Sequence, residues 1–335
     1  MQKKRLSNIE LLRIISMFFI MIGHSYIRSE GLPSSEEVNF HPISSFFICI
    51  VNAIIVDGVN IFVLISGWFG IKFSKNNLAK YLYQVFFLFI LLYLLALISN
   101  KASMSITDIK NVLGLTSGYW FITAYLGLFI LSPILNKFSE NATKQQFTYT
   151  LVCLFGFQCF YSWLTSYVDY YGGYSIILLT SIYLLGRYLR LYPIQMLEDK
   201  AVLFYIVTIF LIAIIVELGL GKVGNALRML RYDNPLVILS SVSLLLSINK
   251  IKFQSKFINL LASASFAVYI IHFNPYVYPY FRTGEMLLFK SYNSISYVLF
   301  FLIFLSIVYI VCFFIDRIRY FTWNLFHQIH KQKTR

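Results

Sequence analysis

ISSFFICIVNAIIVDGVNIFVLISGWF, residues Ile43–Phe69, carries a single charged side chain, Asp57, across an otherwise apolar run. A helix crosses the ~30 Å hydrocarbon core of a bilayer with about 20 residues. The run is long enough to do so, with residues to spare for tilting or breaking. Gly58, Gly67 and Gly70 make a local break within it plausible.

Outward from this stretch the same pattern recurs. Apolar runs at Ile9–Ile27, Leu78–Ile98, Tyr119–Leu135, Phe147–Ser166, Tyr174–Leu189, Ala201–Leu218, Pro235–Ile248, Phe257–Phe273 and Ile295–Ile315 bring the expected number of spans to ten. Over 335 residues, 59% of side chains are hydrophobic and 13% charged. Soluble domains are roughly half apolar and about a quarter charged. With a mean hydropathy of +0.71, a soluble enzyme, a disordered linker and a collagen-like chain are excluded. The expected fold is all-α: a polytopic transmembrane bundle of about ten helices. Residues 1–335 form one integral-membrane domain, with a basic tail from about 317 to 335 that anchors to lipid headgroups.

The net charge of +14 does not indicate nucleic acid, because the cations cluster in short segments between the runs, where topology signals lie. Lys3, Lys4 and Arg5 precede the first run. Lys72, Lys75 and Lys80 follow the second, Lys137 and Lys144 the fourth, and Arg187, Arg190 and Lys200 the sixth. Lys250, Lys252 and Lys256 follow the eighth, and Arg317, Arg319, Lys331, Lys333 and Arg335 the tenth. This alternation predicts both termini in the cytoplasm and a multi-pass protein of the cytoplasmic membrane. No small-residue cleavage site follows Arg5, so the first run is expected to stay as a helix. Cys49, Cys153, Cys159 and Cys312 lie in apolar segments without metal spacing, and no metal is expected.

An ionised group in hydrocarbon costs at least ~2.5–3.5 kcal/mol, so charges within spans are functional candidates. The first run holds Glu10, Arg13 and His24. Eleven residues separate Arg13 from His24, roughly 16 Å of helical rise with ~20° of net rotation. Arg13 should therefore lie near the cytoplasmic boundary and His24 deep in the outer half, along one line. His272 is as far from the start of its own run as His24 is from Ile9, which predicts similar depth. Asp57 and Asn60, one turn apart in the second run, can face a common cavity. Trp120, Tyr125 and Tyr232–Asp233–Asn234–Pro235 are expected to be interface-belt and turn residues.

Asn8–Ile9–Glu10–Leu11–Leu12–Arg13, followed by His24, resembles the first-helix signature of the acyltransferase-3 family, membrane-embedded O-acyltransferases of bacterial surface glycans. Gly58–Gly67, Tyr119–Trp120–Phe121 with Tyr125 and Pro133, and Ser265 through Tyr269 to His272 follow in that family's order. Glu10 stands where the family commonly has Asp, and Phe62–Val63 where it has two aromatics. The resemblance implies transfer of an acyl group, usually acetyl from cytoplasmic acetyl-CoA, to a sugar hydroxyl of a surface or lipid-linked polysaccharide such as a capsule. With it, Arg13, held by Glu10, is expected to contact the CoA phosphates, with Lys72 and Lys75 as further phosphate contacts and Ser66 as a lining residue. His24 would act as general base or as transient acyl acceptor, oriented by Asp57, Asn60 or His272. The rival classes are a flippase for a lipid-linked glycan and, less well supported, a polysaccharide polymerase. No inverted repeat favours the first, and no large Arg- and His-rich outer loop favours the second.

Overall fold

The structure, a computed structural model, describes residues 5–25, 31–112, 119–165, 172–220, 226–292 and 294–333. It is 83% helix, with no strand among the described residues. Among the described residues, six helices are long and apolar enough to cross a membrane: Pro42–Phe69, Lys75–Ile98, Trp120–Asn141, Lys144–Leu164, Ala201–Leu220 and Ile295–Leu325. The other four apolar runs are helical too, at Ser7–Gly23, Ile176–Leu191, Pro235–Lys250 and the pair Lys256–Ala262 and Ser265–His272. Hydrocarbon offers backbone amides no partner, so apolar runs of this length satisfy them internally as helix.

In chain order the elements used below are α1 (Ser7–Gly23), α2 (Pro42–Ile55), α3 (Asp57–Phe69), α4 (Lys75–Ile98), α5 (Ile106–Val112), α6 (Trp120–Asn141), α7 (Lys144–Gln158), α8 (Ile176–Leu191), α9 (Ala201–Leu220), α10 (Pro235–Lys250), α11 (Lys256–Ala262), α12 (Ser265–His272), α13 (Tyr278–Ser291) and α14 (Ser294–Lys333). Their starts carry the expected caps. Ser74, Thr143 and Ser175 accept from backbone amides three residues on, and Asn234 caps α10 ahead of Pro235. The long second run does not break at Gly58 or Gly67: it runs as one helix over Pro42–Phe69, with only a local irregularity at Val56, whose backbone stays right-handed helical (φ −62°, ψ −24°), between α2 and α3, and Gly70 ends it. A π-helical turn, Cys159–Leu164, extends α7. The basic tail continues the last helix, so α14 reaches 40 residues, about 60 Å and twice the hydrocarbon thickness.

The chain divides into two compact units. The first takes in the described residues within 1–23 and 27–73, together with Trp120–Asn259; the second takes in His24, Ser25, the described part of Ser74–Tyr119, and the chain from Leu260 on. In the first unit α3 is the central helix: nearly every residue from Asp57 to Trp68 is buried. Two close approaches put it there. A Cβ on Gly186 of α8 would come within 2.5 Å of the Leu64 carbonyl oxygen, and one on Gly67 would run into the Tyr183 carbonyl. On the facing side, Gly58 lies under Ser16 and Ile20 of α1, where a Cβ would meet atoms at 3.0 and 2.9 Å. Small residues at these positions allow helix axes to approach, as packing within a bilayer requires.

In the second unit α12 packs on α4 and α14. The ninth run is interrupted at Ser263–Ala264, and α14 braces both sides of the interruption. The Tyr309 hydroxyl reaches the Leu261 carbonyl (3.2 Å) and Ser265 Oγ (2.9 Å), and Arg317 donates to Ser263 Oγ (2.9 Å). The buried Asp316 carboxylate in turn receives Arg319 and Gln84, and Arg317 and Arg319 both pair with it.

Candidate active site

The histidines of the first and ninth apolar runs, 248 residues apart in sequence, meet in the second unit: His24 Nδ1 and His272 Nε2 are 3.0 Å apart. Each sits at a helix end. Gly23 closes α1, so His24 occupies the turn beyond it, one residue outside the helical projection from Arg13. His272 is the last residue of α12. The ring of His24 stacks on Phe273 (centroids 4.2 Å), and the Tyr278 hydroxyl donates to the His24 carbonyl (2.9 Å). His272 is fully buried and rests against Phe281 (centroids 5.4 Å), whereas His24 is half-buried.

Hydrogen bonding orders the protons on this pair. His272 Nδ1 lies 2.6 Å from the Val268 carbonyl. A carbonyl only accepts, so Nδ1 carries the proton and Nε2 of a neutral His272 bears the lone pair. His24 Nδ1 must then donate across the 3.0 Å contact, and the lone pair of a neutral His24 resides on Nε2. A buried imidazole thus fixes the tautomer of a half-buried one, leaving His24 Nε2 as the basic atom.

The other sequence candidates belong to the first unit. Arg13 is clamped by Glu10 at 2.5 Å, one helical turn away. Ser66 bonds the Phe62 carbonyl (3.1 Å) and shares a hydrogen bond with the Tyr125 hydroxyl (3.1 Å); Tyr125 also lies within electrostatic reach of Arg13. The Asp57 carboxylate accepts from Ser240 (2.6 Å) and Ser241 (2.9 Å) of α10, and Asn60 donates to the Tyr232 carbonyl (2.9 Å). These bonds tie α3 to α10 and to the segment before it; none of them reaches an imidazole. Lys72 borders a cleft of about 460 Å³ with Arg187, Asn136, Glu140 and Gly70, while Lys75 opens α4 in the second unit.

Several polar residues of the first unit escaped the sequence reading. Tyr183 accepts from the Ile71 amide (2.9 Å) and donates to Asn136 (2.6 Å), which donates to the Ile71 carbonyl (2.8 Å). Together they hold the turn after α3, where Gly70 takes φ +73°, a conformation glycine adopts without strain. Arg187 extends over Gly70, and its Nε is buried with no hydrogen-bond partner among the described residues. Only Arg187 carried a sequence signal, as one of the predicted cytoplasmic cations. Among the described residues no cluster of side chains is suited to hold a metal ion.

The family model for acyltransferase-3, described as an acyltransferase domain, matches residues 6–317, nearly the whole chain. The chain belongs to the acyltransferase-3 family. No curated protein and no solved structure matches it. With six helices able to cross a bilayer, it is a multi-pass membrane acyltransferase. The paired imidazoles are groups of a kind able to transfer a proton near neutral pH.

Proposed function

We propose that this acyltransferase moves an acetyl group from cytoplasmic acetyl-CoA to a sugar hydroxyl of a surface glycan or its lipid-linked precursor. It works in the cytoplasmic membrane, with ten spans and both termini inside. The alternation of basic segments along the sequence supports that topology. The observation that carries the reading is the His24–His272 pair with its ordered protons.

In this reading the sugar hydroxyl is the nucleophile and His24 Nε2 takes its proton as the oxygen attacks the thioester carbonyl. The tetrahedral intermediate then collapses, the C–S bond breaks, and the imidazolium returns the proton to the departing thiolate. Direct attack by Nε2 on the thioester, giving a transient acyl-histidine, needs the same lone pair. Of the three candidates for orienting His24, His272 is favoured by its contact. Asp57 and Asn60, engaged by Ser240, Ser241 and Tyr232, take the part of fixing α3. On the donor side, Arg13 held by Glu10 faces the phosphates, with Ser66 as lining and Lys72 and Lys75 as outlying cations. No metal takes part, and the basic tail rests on lipid headgroups.

The test is transfer of labelled acetyl from acetyl-CoA to glycan in membranes containing the protein. His24→Ala is expected to lower the rate about 10²–10⁴-fold, the usual worth of a positioned acid–base group. A variant that keeps the full rate would defeat the assignment.

A further inference from the structure

A second polar cleft opens in the first unit, away from Lys72 and Arg187. It holds about 510 Å³ and is walled by Asn8, Arg190, Asn249, Lys252, Phe253 and Gln254. These come from the start of α1, the end of α8 and the segment after α10, all positions that the charge alternation assigns to the cytoplasmic side. The walls are fixed. Asn8 donates to the Ile248 and Asn249 carbonyls (3.1 and 3.4 Å), the Ser255 amide donates to Ser7 Oγ (2.9 Å), and Ser7 donates to Asn259 (2.9 Å).

The cleft gathers two cations and no acidic side chain. Arg190 and Lys252 are exposed and belong to none of the ion pairs among the described residues, which join Arg13 to Glu10, Arg231 to Asp233, and Arg317 and Arg319 to Asp316. Arg190 is held with its guanidinium over the buried Trp68 ring at 5.1 Å, which limits its freedom and presents its donors. Two uncompensated cations suit a phosphate monoester dianion. Beside them stand one aromatic ring and three primary amides, which suit a flat heterocycle bearing both donors and acceptors. A phospholipid headgroup supplies the phosphate but no such ring.

We propose that this cleft seats the adenosine 3′-phosphate end of the acyl donor. The proposal rests on the acetyl-CoA reading and deepens it. Its place along α1 is consistent: Asn8 precedes Arg13 by five residues, about 7.5 Å of rise. Along the axis of α1 the nucleotide end at Asn8 then precedes the diphosphate at Arg13, about 140° around the helix, in the order in which a donor would enter from the cytoplasm.

The experiment compares acetyl-CoA with acetyl-dephospho-CoA, which lacks only the 3′-phosphate, using purified protein in zwitterionic lipid discs. Binding of adenosine 3′,5′-bisphosphate is measured in parallel, without turnover. The wild type is expected to prefer acetyl-CoA about tenfold or more, the worth of a charge-assisted hydrogen bond, and to bind the bisphosphate in competition with acetyl-CoA. In Lys252→Met and Arg190→Met the preference falls toward one and bisphosphate binding is lost. Lys252 is exposed, so its replacement leaves folding intact. Transfer from acetyl-CoA without preference for the 3′-phosphate, or with a preference that both variants keep, overturns the subsite and leaves the acetyl-CoA reading standing. Absence of both transfer and nucleotide binding overturns that reading itself. Bisphosphate binding abolished by phosphatidylglycerol and never competed by acetyl-CoA assigns the cleft to a lipid headgroup and overturns the proposal.

Discussion

Replacing His272 tests the proton relay without touching the basic atom. In His272→Phe the ring volume stays, but the acceptor 3.0 Å from His24 Nδ1 disappears. Leaving a donor of this kind unpaired costs about 1–3 kcal/mol. Spent on the arrangement that keeps the lone pair at His24 Nε2, this removes roughly 5- to 150-fold of the reactive population at 1.36 kcal/mol per decade. The expected fall in acetyl transfer from labelled acetyl-CoA is therefore one to two decades, smaller than for His24→Ala. His272→Gln restores an acceptor oxygen on an uncharged side chain and is expected to recover part of the rate. Because His272 acts through His24, His24→Ala/His272→Phe should be no slower than His24→Ala alone. Full activity in a folded His272→Phe protein, or losses that multiply in the double variant, would refute the relay.

Two further outcomes are expected. Gly67→Ala places a Cβ against the Tyr183 carbonyl, and overpacking of this kind costs about 1–3 kcal/mol; thermal unfolding in detergent should show a lowered midpoint, and an unchanged one would contradict the close α3–α8 approach. In α5, outside the spans, hydrogen bonds from Tyr276, Ser105 and Ser103 lower the Asp108 pKa from 3.8 to about 2. A depressed carboxylate contributes stability that is complete above its unfolded pKa and is lost as pH falls through the folded one, here from about 4 down to about 2. Tyr276→Phe removes the largest cause, so the Asp108 midpoint in a carboxyl NMR titration should rise toward its ordinary value; an unmoved midpoint would remove Tyr276 from that role.

Much of the architecture was legible in particular residues. Among the described residues, the body of each apolar run marked in the sequence is helical, and Pro235 after Asn234 starts a helix as its backbone chemistry dictates. The role of the glycines in the second run was not legible. Gly58, Gly67 and Gly70 marked a possible break, yet Gly58 and Gly67 serve close packing within a helix that continues through Val56, and only Gly70, at φ +73°, ends it. The site was legible in part. Arg13 with Glu10 is a one-turn pair visible from spacing alone. The Tyr183–Asn136–Ile71 clasp joins residues far apart in the chain and left no local trace.

By itself, the order of residues determined that this chain lives in a bilayer as helices, because apolar length and backbone hydrogen bonding are properties of each segment on its own. It also singled out the ionisable groups worth explaining, since each carries its desolvation cost wherever it is buried. Only the tertiary structure decided which of them meet. His24 found His272 rather than Asp57, and Asp57 found two serines. Those choices depend on how helices distant in sequence pack, and a hydrogen bond is settled within a few tenths of an ångström that no periodicity encodes.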